Sequence, residues 1–138
     1  MADTTVEALA GQKIELVRRM TDGEMEREIW AGFAPTALQL ENGVVLFPSR
    51  DPEGNGPGAL FSTGSQVFNG KTIKDVRPMT DAEMDREGWA GDRPTAIELL
   101  DGTVLYPSED PEGNGPGVFF GYDSENDKSF TLLTYGGG

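Results

Sequence analysis

Shifted by 59 positions, the chain matches itself: Met20–Gly58 lies on Met79–Gly117 without a gap, and 27 of the 39 positions are identical. A repeat of this period limits the fold more than composition does, because each copy has to build the same small unit and bury its apolar face against a neighbour. A free unit of about 59 residues would bury only about 60% of its surface and be marginally stable. Two pseudo-equivalent halves packed together are therefore expected, which enlarges the core without disulfide or metal. Most differences between copies are mild, such as Leu38/Ile97 and Phe47/Tyr106. Phe33/Asp92, Ala34/Arg93 and Arg50/Glu109 change character, which predicts that those positions are exposed.

The local signals recur in both copies. Thr21-Asp-Gly-Glu24 and Thr80-Asp-Ala-Glu83 fit capping boxes, with Met20/Met25 and Met79/Met84 at staple spacing. Each predicts a helix of about two turns ending near Trp30 or Trp89. Gly23 weakens the first helix by about 1 kcal/mol relative to Ala82 in the second. Alternation follows: Leu38 and Leu40, or Ile97 and Leu99, share one face of a strand. Asn42-Gly43 and Asp101-Gly102 predict type I′ hairpin turns into Val44–Phe47 and Thr103–Tyr106. An eight-residue loop comes next, then a further apolar segment, Ala59–Phe61 or Val118–Phe120.

Lys71–Val76 has two roles in this scheme. It aligns with Lys13–Val17 as the opening strand of the second copy, and with Ser129–Tyr135 as the closing strand of the first. The expected organisation is an N-terminal tail over residues 1–10, one unit over 11–68 and another over 69–138, with strand 71–76 shared or adjoining. Five short strands with one long first connection predict a mostly β unit, with an SH3-like barrel favoured. One continuous sheet built by both copies is the alternative.

Composition narrows the chemistry. The chain has no cysteine and no histidine, which excludes thiolate metal sites and both Ser-His-Asp and Cys-His catalysis. Net charge is −13, against a phosphate-tracking surface or an anionic membrane, so neither nucleic acid nor membrane is an expected partner. No run of eighteen apolar residues is present, and Met1-Ala-Asp-Thr-Thr shows no secretory pattern. High acidity with only four lysines suits a salt-rich cytoplasm, where repulsion is screened and carboxylates hold water; an ordinary acidic protein is the plainer reading.

The loops Asp51-Pro-Glu-Gly-Asn-Gly-Pro-Gly58 and Asp110–Gly117 agree at all eight positions. Oxygen-bearing side chains at positions 1, 3 and 5 and glycine at 6 resemble the front half of an EF-hand calcium loop. The candidate ligands are Asp51, Glu53 and Asn55, with Asp110, Glu112 and Asn114. The bidentate Glu at position 12 is missing, since Ser62 or Gly121 stands there, and flanking helices are absent. Asp123 or Glu125 could add oxygens in the second copy. The plainer reading is a wide strand connection, with glycines for positive φ and prolines for stiffness.

Trp30 and Trp89 read as core anchors before binding platforms. Glu24, Glu26 and Glu28, with Glu83, Asp85 and Glu87, form acidic helix faces, and Arg27 and Arg86 can pair at i−3 with Glu24 and Glu83. Capping and the helix dipole account for these acids without catalysis. The functional expectation is a non-enzymatic protein-binding or assembly module, acting on a protein partner or by self-association, with the two loops as contact sites. Structural Ca²⁺ binding through the same loops is the alternative and the one cofactor they admit. A carboxylate-based hydrolase is the third reading.

Overall fold

A computed structural model of the chain describes residues 9–64, 68–91 and 93–132. Among the described residues the protein is mostly β, with two antiparallel sheets and two short helices, α1 (Asp22–Glu28) and α2 (Asp81–Glu87). The elements of the first half are β1 (Ile14–Arg19), α1 (Asp22–Glu28), β2 (Thr36–Leu40), β3 (Val44–Ser49) and β4 (Ala59–Thr63). Those of the second are β5 (Ile73–Pro78), α2 (Asp81–Glu87), β6 (Thr95–Leu99), β7 (Val104–Ser108), β8 (Val118–Asp123) and β9 (Lys128–Leu132).

The strand orders are β1-β2-β3-β8-β9 and β4-β7-β6-β5. The fourth strand of each half thus leaves its own sheet and pairs in the other. β8 lies along β3, with Phe47 opposite Phe120, and β4 lies along β7, with Phe61 opposite Tyr106. This exchange corrects the expected SH3-like barrel. No closed barrel forms among the described residues, because the strand that would close each unit is spent on its neighbour. A single continuous sheet is not formed either.

The sheets share one interior. Leu38, Leu46 and Phe119 from the first pack in the same cluster as Ile97, Leu99 and Leu105 from the second. Each sheet's outer face carries its own cap: Met20, Met25, Trp30, Ala37 and Phe47 on one, and Met79, Met84, Trp89, Ala96 and Tyr106 on the other. Covering both faces explains why β3 and β7 are buried along their whole length. Leu9, expected in a tail, is 1% exposed and packs into the shared core, while residues 1–8 lie outside the described residues.

Both capping boxes form as the sequence implies, with Thr21 and Thr80 accepting from the N–H of Glu24 and Glu83. The helices end at Glu28 and Glu87, just before the tryptophans. The hairpin turns differ from expectation. Only Gly43 and Gly102 adopt positive φ, whereas a type I′ turn needs it at two residues. The connections have three residues in the first half, 41–43, and four in the second, 100–103, and are closed by Gly43 N–H to Leu40 O and Gly102 N–H to Leu99 O. Lys71–Val76 falls on the start of β5, which pairs along its length with β6. Its beginning also touches the first sheet, through the Lys13–Thr72 bridge and the Ile14 N–H bond to Lys71 O of 2.8 Å. Of the segment expected over Ser129–Tyr135, β9 ends at Leu132, and residues 133–135 lie outside the described residues. No helix among the described residues is long and apolar enough to cross a membrane.

Candidate functional site

The two eight-residue loops lead from β3 to β4 and from β7 to β8, so they carry the chain across from one sheet to the other. Their shared sequence is used internally. The Asp51 carboxylate accepts from the Asn55 N–H at 3.0 Å and from the Asn55 side-chain amide at 2.9 Å; Asp110 and Asn114 repeat both bonds at the same distances. Ser49 and Ser108, both fully buried, donate from their hydroxyls to the carbonyls of Asp51 and Asp110 at 2.7 and 2.6 Å. These are Asx-type closures that give a wide turn a single shape. Slight burial pushes the Asp51 carboxyl up, but the Asn55 donors outweigh it and hold it below its ordinary value. The Asn114 N–H and side-chain amide hold Asp110 below its ordinary value in the same way.

Trp30 donates its indole N–H to Gly54 O at 2.7 Å, and Trp89 to Gly113 O at 2.8 Å. The opposite half supplies the other wall. Phe120 lies so close to Gly54 that a Cβ there would be 2.7 Å from its ring, and Phe61 meets Gly113 at 2.8 Å. Each loop is therefore pinned by the tryptophan of its own repeat and the phenylalanine of the other. The tryptophans are the core anchors the sequence suggested, 7% and 6% exposed.

Of the six candidate ligands, Asp51 and Asn55 are brought together by their mutual hydrogen bonds, as are Asp110 and Asn114. Glu53 and Glu112 are exposed beside Pro52 and Pro111 at the loop tips. Among the described residues, no group of three or more Asp, Glu, His or Cys side chains is placed to hold a metal ion. Asp123, the further oxygen considered for the second copy, accepts from Asn126 and from the Glu125 N–H.

The acidic helix faces are likewise occupied. Glu24 is bound by Arg18 of β1 through two 2.9 Å bonds and Glu83 by Arg77 of β5 at 2.9 and 3.0 Å, in place of the i−3 pairs with Arg27 and Arg86. Arg27 instead lies over the Tyr122 ring at 3.6 Å. Glu87 accepts from the Tyr106 hydroxyl; burial, then that carboxylate, pushes the tyrosine well above its usual range. In the first repeat Phe47 stands in place of Tyr106 and offers no hydroxyl. The Glu28 side chain there is 13% exposed, and burial raises its carboxyl above the ordinary value. An open groove lined by Asp81, Met84, Asp85, Trp89 and Arg93 excludes both Glu83 and Glu87, and Arg93 spans it to Asp81.

One feature escaped the sequence reading. The residue that ends α1 is Ile29, with φ 61° and ψ 43°, and its side chain is 89% exposed. At the matching end of α2 stands Gly88, φ 75°. A left-handed cap is the natural place for glycine and an unfavourable one for a β-branched residue. Phe33, in the same connection to β2, is 47% exposed. The mismatch Ile29/Gly88 was visible in the repeat alignment and was its signal. Of the positions expected to be exposed, Phe33, Arg50, Arg93 and Glu109 are so, Ala34 is half-buried, and Asp92 lies outside the described residues. Comparison with known proteins adds no relative: no protein-family model, curated protein or solved structure matches this chain.

Proposed function

We propose that this chain is a non-enzymatic protein-binding module, built by duplication of one unit, whose principal contact surface lies on the first repeat. The observation that supports this reading is Ile29. A β-branched side chain is held in left-handed backbone and turned almost wholly to water, where the second repeat uses glycine. That conformation costs about 1–2 kcal/mol, and the fold gains no burial in return. Local strain and an exposed apolar pair, Ile29 with Phe33, are what a contact site retains against stability. The Asp51–Gly58 loop adjoins this surface, because Gly54 is bonded to Trp30, the residue following Ile29. Its exposed Pro52 and Glu53 would extend the contact. Asp22 and Glu26, also exposed on α1, favour a partner with basic groups around an apolar pocket.

Quantitative affinity capture with wild type, an Ile29→Gly/Phe33→Asp double variant and a Leu100→Asp control tests the reading. A specific partner should fall at least tenfold with the double variant and be unchanged with the control. Identical capture by all three, with a strict monomer in sedimentation, would remove the proposal.

A further inference from the structure

Asn-Gly occurs four times in the chain, at Asn42-Gly43, Asn55-Gly56, Asn69-Gly70 and Asn114-Gly115. Glycine has no Cβ to shield its backbone nitrogen, so this dipeptide is open to attack by that nitrogen on the asparagine amide. The fold treats the four differently. Gly43 N–H donates to Leu40 O at 3.1 Å, and the Asn42 side-chain oxygen accepts from the Val44 N–H at 3.1 Å. Gly70 N–H donates to Ile14 O at 2.7 Å, and the Asn69 side-chain oxygen accepts from the Val17 N–H at 2.8 Å. At both, the attacking nitrogen and the amide it would attack are each held, and reaction has to break both bonds.

The pairs in the eight-residue loops are placed otherwise. Asn55 and Asn114 are exposed, and the N–H groups of Gly56 and Gly115 donate to no carbonyl among the described residues. On the side chains, loop closure holds the amide nitrogen, which Asp51 or Asp110 accepts from at 2.9 Å. The loops are identical in sequence but differ in the residue just before them. The Arg50 guanidinium lies 3.3 Å from where a Cβ on Gly56 would stand, and the Glu109 carboxylate takes that place over Gly115 at 3.1 Å. A cation beside a peptide nitrogen favours its deprotonated form, and a carboxylate there opposes it.

We propose that Asn55 is a site of spontaneous deamidation, and that its reaction opens the first loop ahead of the second. The Gly56 nitrogen, once deprotonated, bonds to Cγ of Asn55. The Cγ–Nδ2 bond breaks, and ammonia leaves with the proton. Water then opens the cyclic imide to aspartate or isoaspartate. Either product puts a carboxylate where Asp51 had an amide donor at 2.9 Å. The like charges repel, and the closure that gives the turn its shape is lost. Gly54, which accepts from the Trp30 indole, lies inside the segment released. The chemistry depends on no partner, so it stands or falls apart from the protein-binding reading.

The full chain, held in low-salt buffer at mildly alkaline pH, is sampled over time by peptide mapping with mass spectrometry that separates aspartyl from isoaspartyl products. Asn55 should react first, about threefold faster than Asn114 and about tenfold faster than Asn42 or Asn69. Arg50→Glu should bring Asn55 down to the rate of Asn114, and Glu109→Arg should raise Asn114 to that of Asn55. In urea, where the hydrogen bonds are gone, Asn42 and Asn69 should catch up with Asn55. Asn55→Asp, which makes one product directly, should speed amide exchange across residues 51–58 about tenfold. Equal rates at Asn55 and Asn114, or a faster Asn42 or Asn69, overturn the proposal. So does a rate order that persists in urea or in both charge variants, or unchanged exchange in Asn55→Asp.

Discussion

Gly58 lies against the carbonyl oxygen of Ser108 so closely that a Cβ on it would be 2.5 Å away. The relationship is reciprocal: a Cβ on Gly117 would be 2.6 Å from the carbonyl oxygen of Ser49. Each glycine is also crowded by its own repeat's serine, at 2.8 Å in both cases. This is where the two exchanged strands cross, and both neighbours are backbone atoms that cannot swing aside. Gly58→Ala and Gly117→Ala should each destabilise by about 3 kcal/mol, read as the shift in urea midpoint. A loss under about 0.5 kcal/mol would mean that the crossing is not packed as described.

Trp30 and Trp89 hold the loops through one indole bond each. Trp30→Phe keeps most of the ring but leaves Gly54 O without its donor. A cost of about 1–2 kcal/mol is expected, with faster amide exchange across residues 51–58. If exchange there is unchanged, the Asp51–Asn55 closure and the Phe120 contact hold the loop without the indole bond.

Ile29 and Gly88 allow a reciprocal exchange. Ile29→Gly should stabilise the protein by about 1 kcal/mol, and Gly88→Ile should destabilise it by about 1–2 kcal/mol. Equilibrium denaturation measures both. If Ile29→Gly is destabilising, the isoleucine supports the fold and its value as a sign of binding disappears.

The acids predict a stability maximum on the acidic side of neutrality. The Arg77 hydrogen bonds to Glu83 outweigh burial and hold that carboxyl below its ordinary 4.5. Its folded pKa is depressed, so its contribution is present above 4.5 and lost as pH falls through the folded value. Glu28 has the opposite sign. Burial raises its folded pKa, so stability is gained as pH falls from neutral through that value towards 4.5. Melting temperature against pH should therefore rise and then fall on acidification. Glu28→Gln should flatten the neutral side, and Glu83→Gln the acid side. Glu83→Ala should cost about 2 kcal/mol at pH 7, through loss of the capping bond and the charged pair.

What was legible in the sequence was what neighbouring residues decide among themselves. The capping boxes, the short helices, the alternation of Leu38 with Leu40 and the anchoring tryptophans all rest on spacings of two to five residues. The turn at Asn42-Gly43 was placed correctly but given the wrong geometry, because only Gly43 takes positive φ. The partners of Glu24 and Glu83 differ from the expected pairs for a related reason: Arg27 and Arg86 are close in sequence, yet Arg18 and Arg77 reach from an adjoining strand. The strand exchange left no local mark. Phe120 is as apolar beside Phe47 as Phe61 would have been, so apolar patterning does not tell the two arrangements apart. The loops drew attention as ligands because carboxylates that close a turn have the same composition as carboxylates that hold an ion.

The exchanged strands also set a timetable for synthesis. Phe47 waits for Phe120, 73 residues later in the chain, before β3 has its second neighbour. A nascent first half emerges with an apolar edge already formed and nothing yet made to cover it. Two such halves on different ribosomes could satisfy one another by the same crossing. Refolding should then be slow and sensitive to concentration, with interlocked dimers as its characteristic by-product.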